Sequence, residues 1–193
     1  MYLLGECGQW CILLSMLLVE TARTFALAEE ARREITTACN AAFGQDFDAL
    51  FSLLPPDGLH LLGRRDGRLV THLVLTDRRL RFGQGPWRRA AYIDAVATLP
   101  DCRGEGLAGL LLEKASALCG TSHDLFALCA SRENLYRRHG FATWRGPLFL
   151  ENEDASGTGE VHLEEILMLR PARESLPEAG AALTANWRPG GGF

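Results

Sequence analysis

The chain has 193 residues, 47% apolar and 23% charged, which is enough for one sizeable hydrophobic core and too little for two large domains. A formal net charge of -4 leaves no basic footprint for nucleic acid, and the six cysteines show neither paired CxxC spacing for zinc nor the density of a disulfide framework. Reduced thiols in a cytoplasmic protein are the default reading.

The apolar run from Cys11 to Val19 is too short to span a bilayer and follows Glu6 rather than the basic cluster of a signal peptide. Residues 1–15 read as an appendage with no membrane role, and residues 16–193 as a single domain whose first strand is Met16 to Phe25. From Glu29 to Phe43, Ala31, Ile35, Ala38, Cys39 and Ala42 recur at helical spacing behind an acidic first turn. Phe47 to Leu54 repeats the pattern briefly and stops at Pro55-Pro56. Leu59 to Arg64 and Arg68 to Thr76 flank Asp66-Gly67 as an antiparallel hairpin. A third strand, about Ala90 to Leu99, leads through Pro100–Gly106 into a helix with Leu107, Leu110, Leu111, Ala115 and Leu118 on one face. A strand ending near Ala130 follows, then a short helix capped by Ser131 and closed by Gly140. A strand from Phe141, a final strand from Val161 to Leu169 and one weak helix past Pro171 complete an α+β, mixed α/β domain.

The informative stretch is Arg103-Gly104-Glu105-Gly106-Leu107-Ala108, where a strand gives way to a helix and bare backbone N–H groups face an anion, with polyphosphate the natural guest. Gly104-x-Gly106-x-x-Gly109 also fits the dinucleotide fingerprint of an NAD-dependent oxidoreductase. That fold wants its first glycine at the strand end and an acid closing the next strand; here Pro100 and Arg103 intervene, and Asp124 opens the next strand instead. A plain tight turn uses glycine for the same conformational reason.

Directly after the strand Ala95–Pro100, the pattern Arg-x-x-Gly-x-Ala resembles the acetyl-CoA loop of the GNAT superfamily of N-acetyltransferases. Leu135-Tyr136-Arg137-Arg138-His139-Gly140-Phe141 resembles its later Leu-Tyr-x-x-x-Gly-Phe motif, with Cys129 and Arg132 standing where many members have Asn and Ala. The resemblance implies a mixed central sheet splayed at the cofactor strand with helices on both faces. It also implies that backbone groups of Val96, Ala97 and Thr98 face the pantetheine arm while amides from Arg103 to Ala108 hold the pyrophosphate. More narrowly, Ala42-Phe43-Gly44-Gln45-Asp46-Phe47, Trp144-Arg145-Gly146-Pro147 and Trp187-Arg188-Pro189-Gly190 resemble, in order, segments of the aminoglycoside 2'-N-acetyltransferases. A homodimer is left open, and no histidine shows metal-ligand spacing.

Acetyl transfer needs a deprotonated amine, a polarised carbonyl and a proton for the leaving thiolate. The resemblance puts Tyr136 beside the CoA sulphur as that acid. Strand alternation puts Asp94 on one face with Tyr92, Val96 and Thr98, where an idle carboxylate is costly. It reads as base, directly or through water, or as a substrate anchor. Asp46, Glu164, Glu165 and the Phe193 carboxylate are further candidates for a cationic amino sugar. Relative to members accepting many polycationic drugs, one acid falls on Phe51, another on Gly191, and the strand Glu becomes Asp94. Losing such contacts favours a less cationic acceptor, and kasugamycin fits. A non-catalytic acyl-CoA-binding module and an acetyltransferase of another small amine are the rival readings.

Overall fold

The computed structural model describes residues 17–188 apart from 174 and 179. The appendage 1–15 with Cys7 and Cys11, the start of the expected first strand at Met16, and the tail positions Gly191 and Phe193 lie outside the described residues. Strand β1 (Leu18–Arg23) pairs antiparallel with β2 (Leu59–Arg65), and the expected strand ends early because Thr24–Ala26 turn into a 3-10 helix. Helix α1 (Glu29–Phe43) buries Ile35, Ala38 and Cys39 as its periodicity predicts, and Gly44, at φ 67°, ends it in the left-handed conformation a β-carbon disfavours. Burial pushes the Cys39 thiol up to about 12, so it stays an inert core thiol.

The second helix is shorter than its pattern. Only Leu50–Leu53 (α2) are helical, because Phe47 donates its amide to Asn40 Oδ1 at 2.7 Å and Asp48 to Asp46 Oδ1 at 2.7 Å, which bends the preceding chain into a turn. The hairpin turn has Asp66 at φ 51° and Gly67 at φ 79°, the pair of positive values that matches the twist of flanking strands. Strand β3 (Arg68–Phe82) runs past the expected end at Thr76. Its polar-looking continuation is held from inside: Arg78 is 2% exposed and donates to the Asn186 carbonyl at 2.8 Å.

Strand β4 (Trp87–Thr98) lies antiparallel to β3 and carries the decisive irregularity. Val74 pairs with Asp94, yet His72 pairs with Ala97, so β4 holds one extra residue, and Ala95 sits at φ 49°, a conformation that costs an L-residue about 1–2 kcal/mol. Helix α3 (Leu107–Cys119) buries Leu107, Leu111, Leu112, Ala115 and Cys119, whereas the expected Leu110 and Leu118 are 48% and 43% exposed. It passes close to His139 at Gly109, where a β-carbon would come within 2.8 Å of His139 Nε2. Strand β5 (Leu125–Ala130) matches expectation. Helix α4 (Glu133–Arg137) begins after Arg132, and neither Arg132 nor Ser131 caps it; Glu133 instead pairs with Arg137 and accepts from Thr143 Oγ1.

Beyond α4 the expected layout changes. After the two-residue β6 (Ala142–Thr143) come β7 (Leu148–Glu151), β8 (Thr158–Val161) and β9 (Ile166–Pro171), so the single strand expected over Val161–Leu169 is interrupted between β8 and β9. The weak helix past Pro171 is replaced by β10 (Leu183–Ala185). The sheet runs β6-β9-β5-β4-β3-β10-β7-β8, with β1 and β2 on the other half of β3. Strands β4 and β5 pair in parallel only at Ala90–Tyr92 with Leu125–Ala127. Past Tyr92 they part.

One core lies under α3, with Leu73, Leu75, Ala91, Ile93, Leu111, Phe126 and Leu128. The opposite face is covered by α1 at one end and by Leu80, Phe82, Tyr92, Trp144 and Leu183 around β10 at the other. The bulge switches faces along β4. Ile93 packs under α3 and Asp94 shares Tyr92's face, but Val96 also packs under α3 while Ala95 and Ala97 pack toward α1. Simple alternation had put Val96 beside Asp94, and the extra residue removes it to the other face.

Candidate active site

The loop between β4 and α3 has the geometry of an anion cradle. Gly104 (φ 84°) and Gly106 (φ 79°) hold left-handed turns, and a β-carbon at either would meet no protein atom within 4 Å. Among the described residues, amides from Gly104 to Gly109 find no backbone hydrogen-bond partner, since the first such bond of the helix is Leu110 N–H to Gly106 O. Arg103 behaves differently: its amide faces Pro100 O at 3.5 Å and its guanidinium donates to Ala42 O at 2.6 Å, tying the loop to the end of α1. The Glu105 carboxylate beside this cradle is paired with Arg65, which offsets its repulsion of an anionic guest. Gly109 packs against His139 and Asp124 accepts the Arg89 amide at 2.8 Å, so two marks of a dinucleotide site carry structural duties instead. Leu107 is buried, and Ala108 half-buried, in the first turn.

From the loop, the parted edge of β4 leads toward the residues expected to react. With β5 turned away, backbone groups of Val96–Thr98 on that edge have no strand partner among the described residues, while the Thr98 hydroxyl lies 3.0 Å from Thr71 Oγ1. Tyr136 of α4 packs half-buried on the core beneath α3, edge-on to Phe141 with ring centres 6.1 Å apart. Burial and then the Glu165 charge push its phenol up to about 12, so it holds its proton at neutral pH.

Asp94 faces the other side of the sheet. Its Oδ2 accepts from Arg188 Nη1 at 2.9 Å and from Thr76 Oγ1 at 3.1 Å. The Arg188 guanidinium also lies 5.0 Å from the centre of the Tyr92 ring, and Arg78 lies 5.6 Å from it. The Tyr92 phenol neighbours the Cys129 thiol, which burial pushes up to about 11 and so keeps protonated. Glu165 is exposed before β9, close enough for its charge to act on both Tyr136 and Cys129; Glu164, also exposed, makes no such contact. Asp46 is exposed in the α1–α2 turn, and Phe51 stacks on His60 at 5.8 Å with Arg32 5.0 Å above it. The structure thus brings Asp94, Arg188, Tyr92 and Cys129 together and leaves Asp46 and Glu164 apart. Arg188 escaped assignment by residue chemistry, although Trp187-Arg188-Pro189-Gly190 marked its segment. His60 and His72, given no role from spacing, are both fully buried beneath the bulge.

The overall fold is shared with known proteins. The family described as Acetyltransferase (GNAT) domain matches residues 26–144. The chain belongs to the GNAT family. An aminoglycoside 2'-N-acetyltransferase of Mycolicibacterium fortuitum is 28% identical over 183 residues, spanning 90% of this chain and 92% of that one. Among solved structures, the GNAT-family N-acetyltransferase YhbS of Escherichia coli in complex with CoA is similar with a TM-score of 0.60 at 16% identity, over 89% of each chain. ElaA of Escherichia coli is similar with a TM-score of 0.56 at 21% identity, over 80% of this chain and 99% of that one. The protein is an acetyl-CoA-dependent N-acetyltransferase of mixed α+β fold. The open glycine loop, the unpaired amides of α3 and the parted edge of β4 fit the pyrophosphate and pantetheine of this GNAT co-substrate. Among the described residues no helix is long and apolar enough to cross a membrane.

Proposed function

We propose that this GNAT enzyme acetylates an amino group of an aminoglycoside of low positive charge, with kasugamycin the best candidate, and so inactivates it in a resistant host. The observation that carries the specificity is the Asp94–Arg188 pair at 2.9 Å: the acid best placed to receive an ammonium already faces an internal cation. Phe51, apolar where broad-spectrum members are acidic, points the same way.

Acetyl-CoA supplies the acetyl group as an activated thioester. Amides of Gly104–Ala108 hold its phosphates and the edge of Val96–Thr98 meets its arm. Tyr136, keeping its proton, presents its Oη–H as donor to the departing sulphur. Asp94, whose Oδ2 already accepts from Arg188 and Thr76, serves as an anchor for the acceptor, and the amine proton leaves through water. Glu165, and outside the described residues the Phe193 carboxylate, add negative charge for the amine, with Asp46 and Glu164 limited to its outer approach.

The test is thiol release with acetyl-CoA and a panel of aminoglycosides. Kasugamycin should give the highest kcat/KM; gentamicin or tobramycin acetylated as efficiently removes the narrow-site reading. Binding of CoA with no release on any amine would instead support a non-catalytic module.

A further inference from the structure

At the bulge in β4 a backbone carbonyl meets a buried side chain, and the residues behind it form a chain extending to the far side of the hairpin. Ala95 O is met by His72 Nδ1 at 3.1 Å. His72 Nε2 lies 2.9 Å from His60 Nδ1, and His60 Nε2 lies 3.0 Å from Thr24 Oγ1. Both imidazoles are fully buried, and Thr24 is 3% exposed.

One carbonyl sets the direction of every proton. A carbonyl only accepts, so His72 carries its hydrogen on Nδ1. Burial, followed by the proximity of His60, pushes His72 down to about 3, and burial with the charge of Arg32 pushes His60 down to about 4, so both rings are neutral and hold one N–H each. His72 Nε2 is then a lone pair, which requires the hydrogen of His60 on Nδ1, and His60 Nε2 in turn takes the Thr24 hydroxyl proton. The opposite direction sets the His72 lone pair against the Ala95 oxygen with no proton between them. Thr24 therefore forgoes its alternative acceptor, the Gly58 carbonyl at 3.2 Å.

We propose that Thr24, His60 and His72 are positioning residues of the acetyl-transfer site, an aligned hydrogen-bond chain that fixes the Ala95 carbonyl and so aims the β4 edge of residues 96–98 at the arm of acetyl-CoA. The proposal rests on the assignment of that edge to acetyl-CoA. A strained bulge persists only where its surroundings over-determine it, and a carbonyl held through two buried rings is such a surrounding. Phe51 stacks on His60, so the acceptor wall and the bulge share one support.

Nitrogen-15 spectra of the wild-type imidazoles at neutral pH provide the first test. Both His60 and His72 should appear as neutral Nδ1–H tautomers; an Nε2–H tautomer or an imidazolium at either overturns the chain. The second test is calorimetric titration with CoA. His72→Leu should weaken CoA binding by about tenfold or more, and His72→Asn, whose amide can donate near the Nδ1 position, should restore it to within a few-fold. A merely structural histidine would lower the unfolding temperature and leave CoA affinity alone, and that result in folded His72→Leu refutes the positioning role. If His72→Leu does not fold, Thr24→Val decides: weaker CoA binding supports the role and unchanged binding overturns it. Should the assignment of this site to acetyl-CoA itself be wrong, Gly106→Val and His72→Leu would both keep wild-type CoA affinity while the tautomers stood as described.

Discussion

Replacing Gly106 separates what the loop needs for its own shape from what it needs for a ligand. Its backbone is at φ 79° and ψ 8°, immediately before α3. A left-handed alanine costs about 1–2 kcal/mol, and a chain of this size loses roughly 2–4 °C of Tm per kcal/mol, so Gly106→Ala should unfold about 2–8 °C earlier. Its new β-carbon would meet no protein atom within 4 Å, so any steric opposition beyond this strain comes from a guest in the loop. CoA affinity should fall by about tenfold, a loss of about 1.4 kcal/mol, and further in Gly106→Val, whose branched side chain fills the approach to the amides. Gly109→Ala is the control. Its β-carbon would come within 2.8 Å of His139 Nε2, which strains the contact between α3 and the end of α4 without filling the loop. It should lower Tm while leaving CoA affinity within a few-fold. Thermal unfolding and calorimetric titration with CoA read both quantities. Folded Gly106→Val binding CoA like wild type, or Gly109→Ala losing as much affinity as Gly106→Ala, would refute the cradle.

Tyr136→Phe should lower kcat by about 10²-fold while CoA affinity stays within a few-fold, and unchanged turnover would strip the phenol of its role. Because burial and Glu165 push that phenol up to about 12, it stays protonated as pH rises, and kcat should show no loss from this group below about pH 11; a basic limb near 10 that vanishes in Tyr136→Phe would contradict this. Asp77 is lifted by burial but held lower on balance by hydrogen bonds from Arg89 (2.6 Å) and His123 (2.6 Å). A depressed folded value adds stability above the unfolded carboxyl range near 3.9 and loses it as pH falls through the folded value, so urea midpoints of wild type and Asp77→Asn should differ at pH 7 and converge in strong acid. Curves that stay parallel would refute that assignment. Arg188→Gln should free Asp94 for ammonium groups and raise the kcat/KM of gentamicin relative to kasugamycin severalfold; an unchanged ratio would show that Arg188 does not select the acceptor.

What was legible in the sequence is what depends on neighbours a few residues away. The stripe Ile35–Ala38–Cys39, the Asp66-Gly67 turn and the glycine loop each carry their own conformational chemistry. Strand β10 does not: Leu183–Ala185 is too short for a periodicity, and its partners on β3 and β7 are remote in the chain. The bulge was hidden for another reason. Ala95 holds a positive φ without being glycine, so nothing marked the point where alternation reverses and Val96 leaves the face of Asp94. The histidine pair was hidden by a second irregularity. Continued without a break, the tight turn would pair His60 with Leu73 and leave His72 on the other face; the register shift between Gly63 and Arg64 sets His60 opposite Val74 instead, one diagonal step from His72 on the same face.

The donor and acceptor halves of the site draw on different parts of the chain, and this decides how far family membership speaks to substrate. Every residue proposed to contact acetyl-CoA lies between β4 and α4, inside the matched span of residues 26–144. The proposed acceptor wall draws on Asp94, Phe51 and Arg188, the last of which lies beyond that span. It reaches Asp94 because β10 pairs with the far end of β3 and leaves three residues, about 10 Å of extended chain, to cross the face of Tyr92. The bulge gives the two halves a common meeting point. It turns Val96 toward the side of Tyr136 and Asp94 toward the side of Arg188, so under the proposed roles a donor and an acceptor approaching from opposite faces would meet where β4 and β5 part. On that proposal a change at Arg188 should alter which amine is received without disturbing the loop proposed to hold the phosphates, and a change at Gly106 should do the reverse.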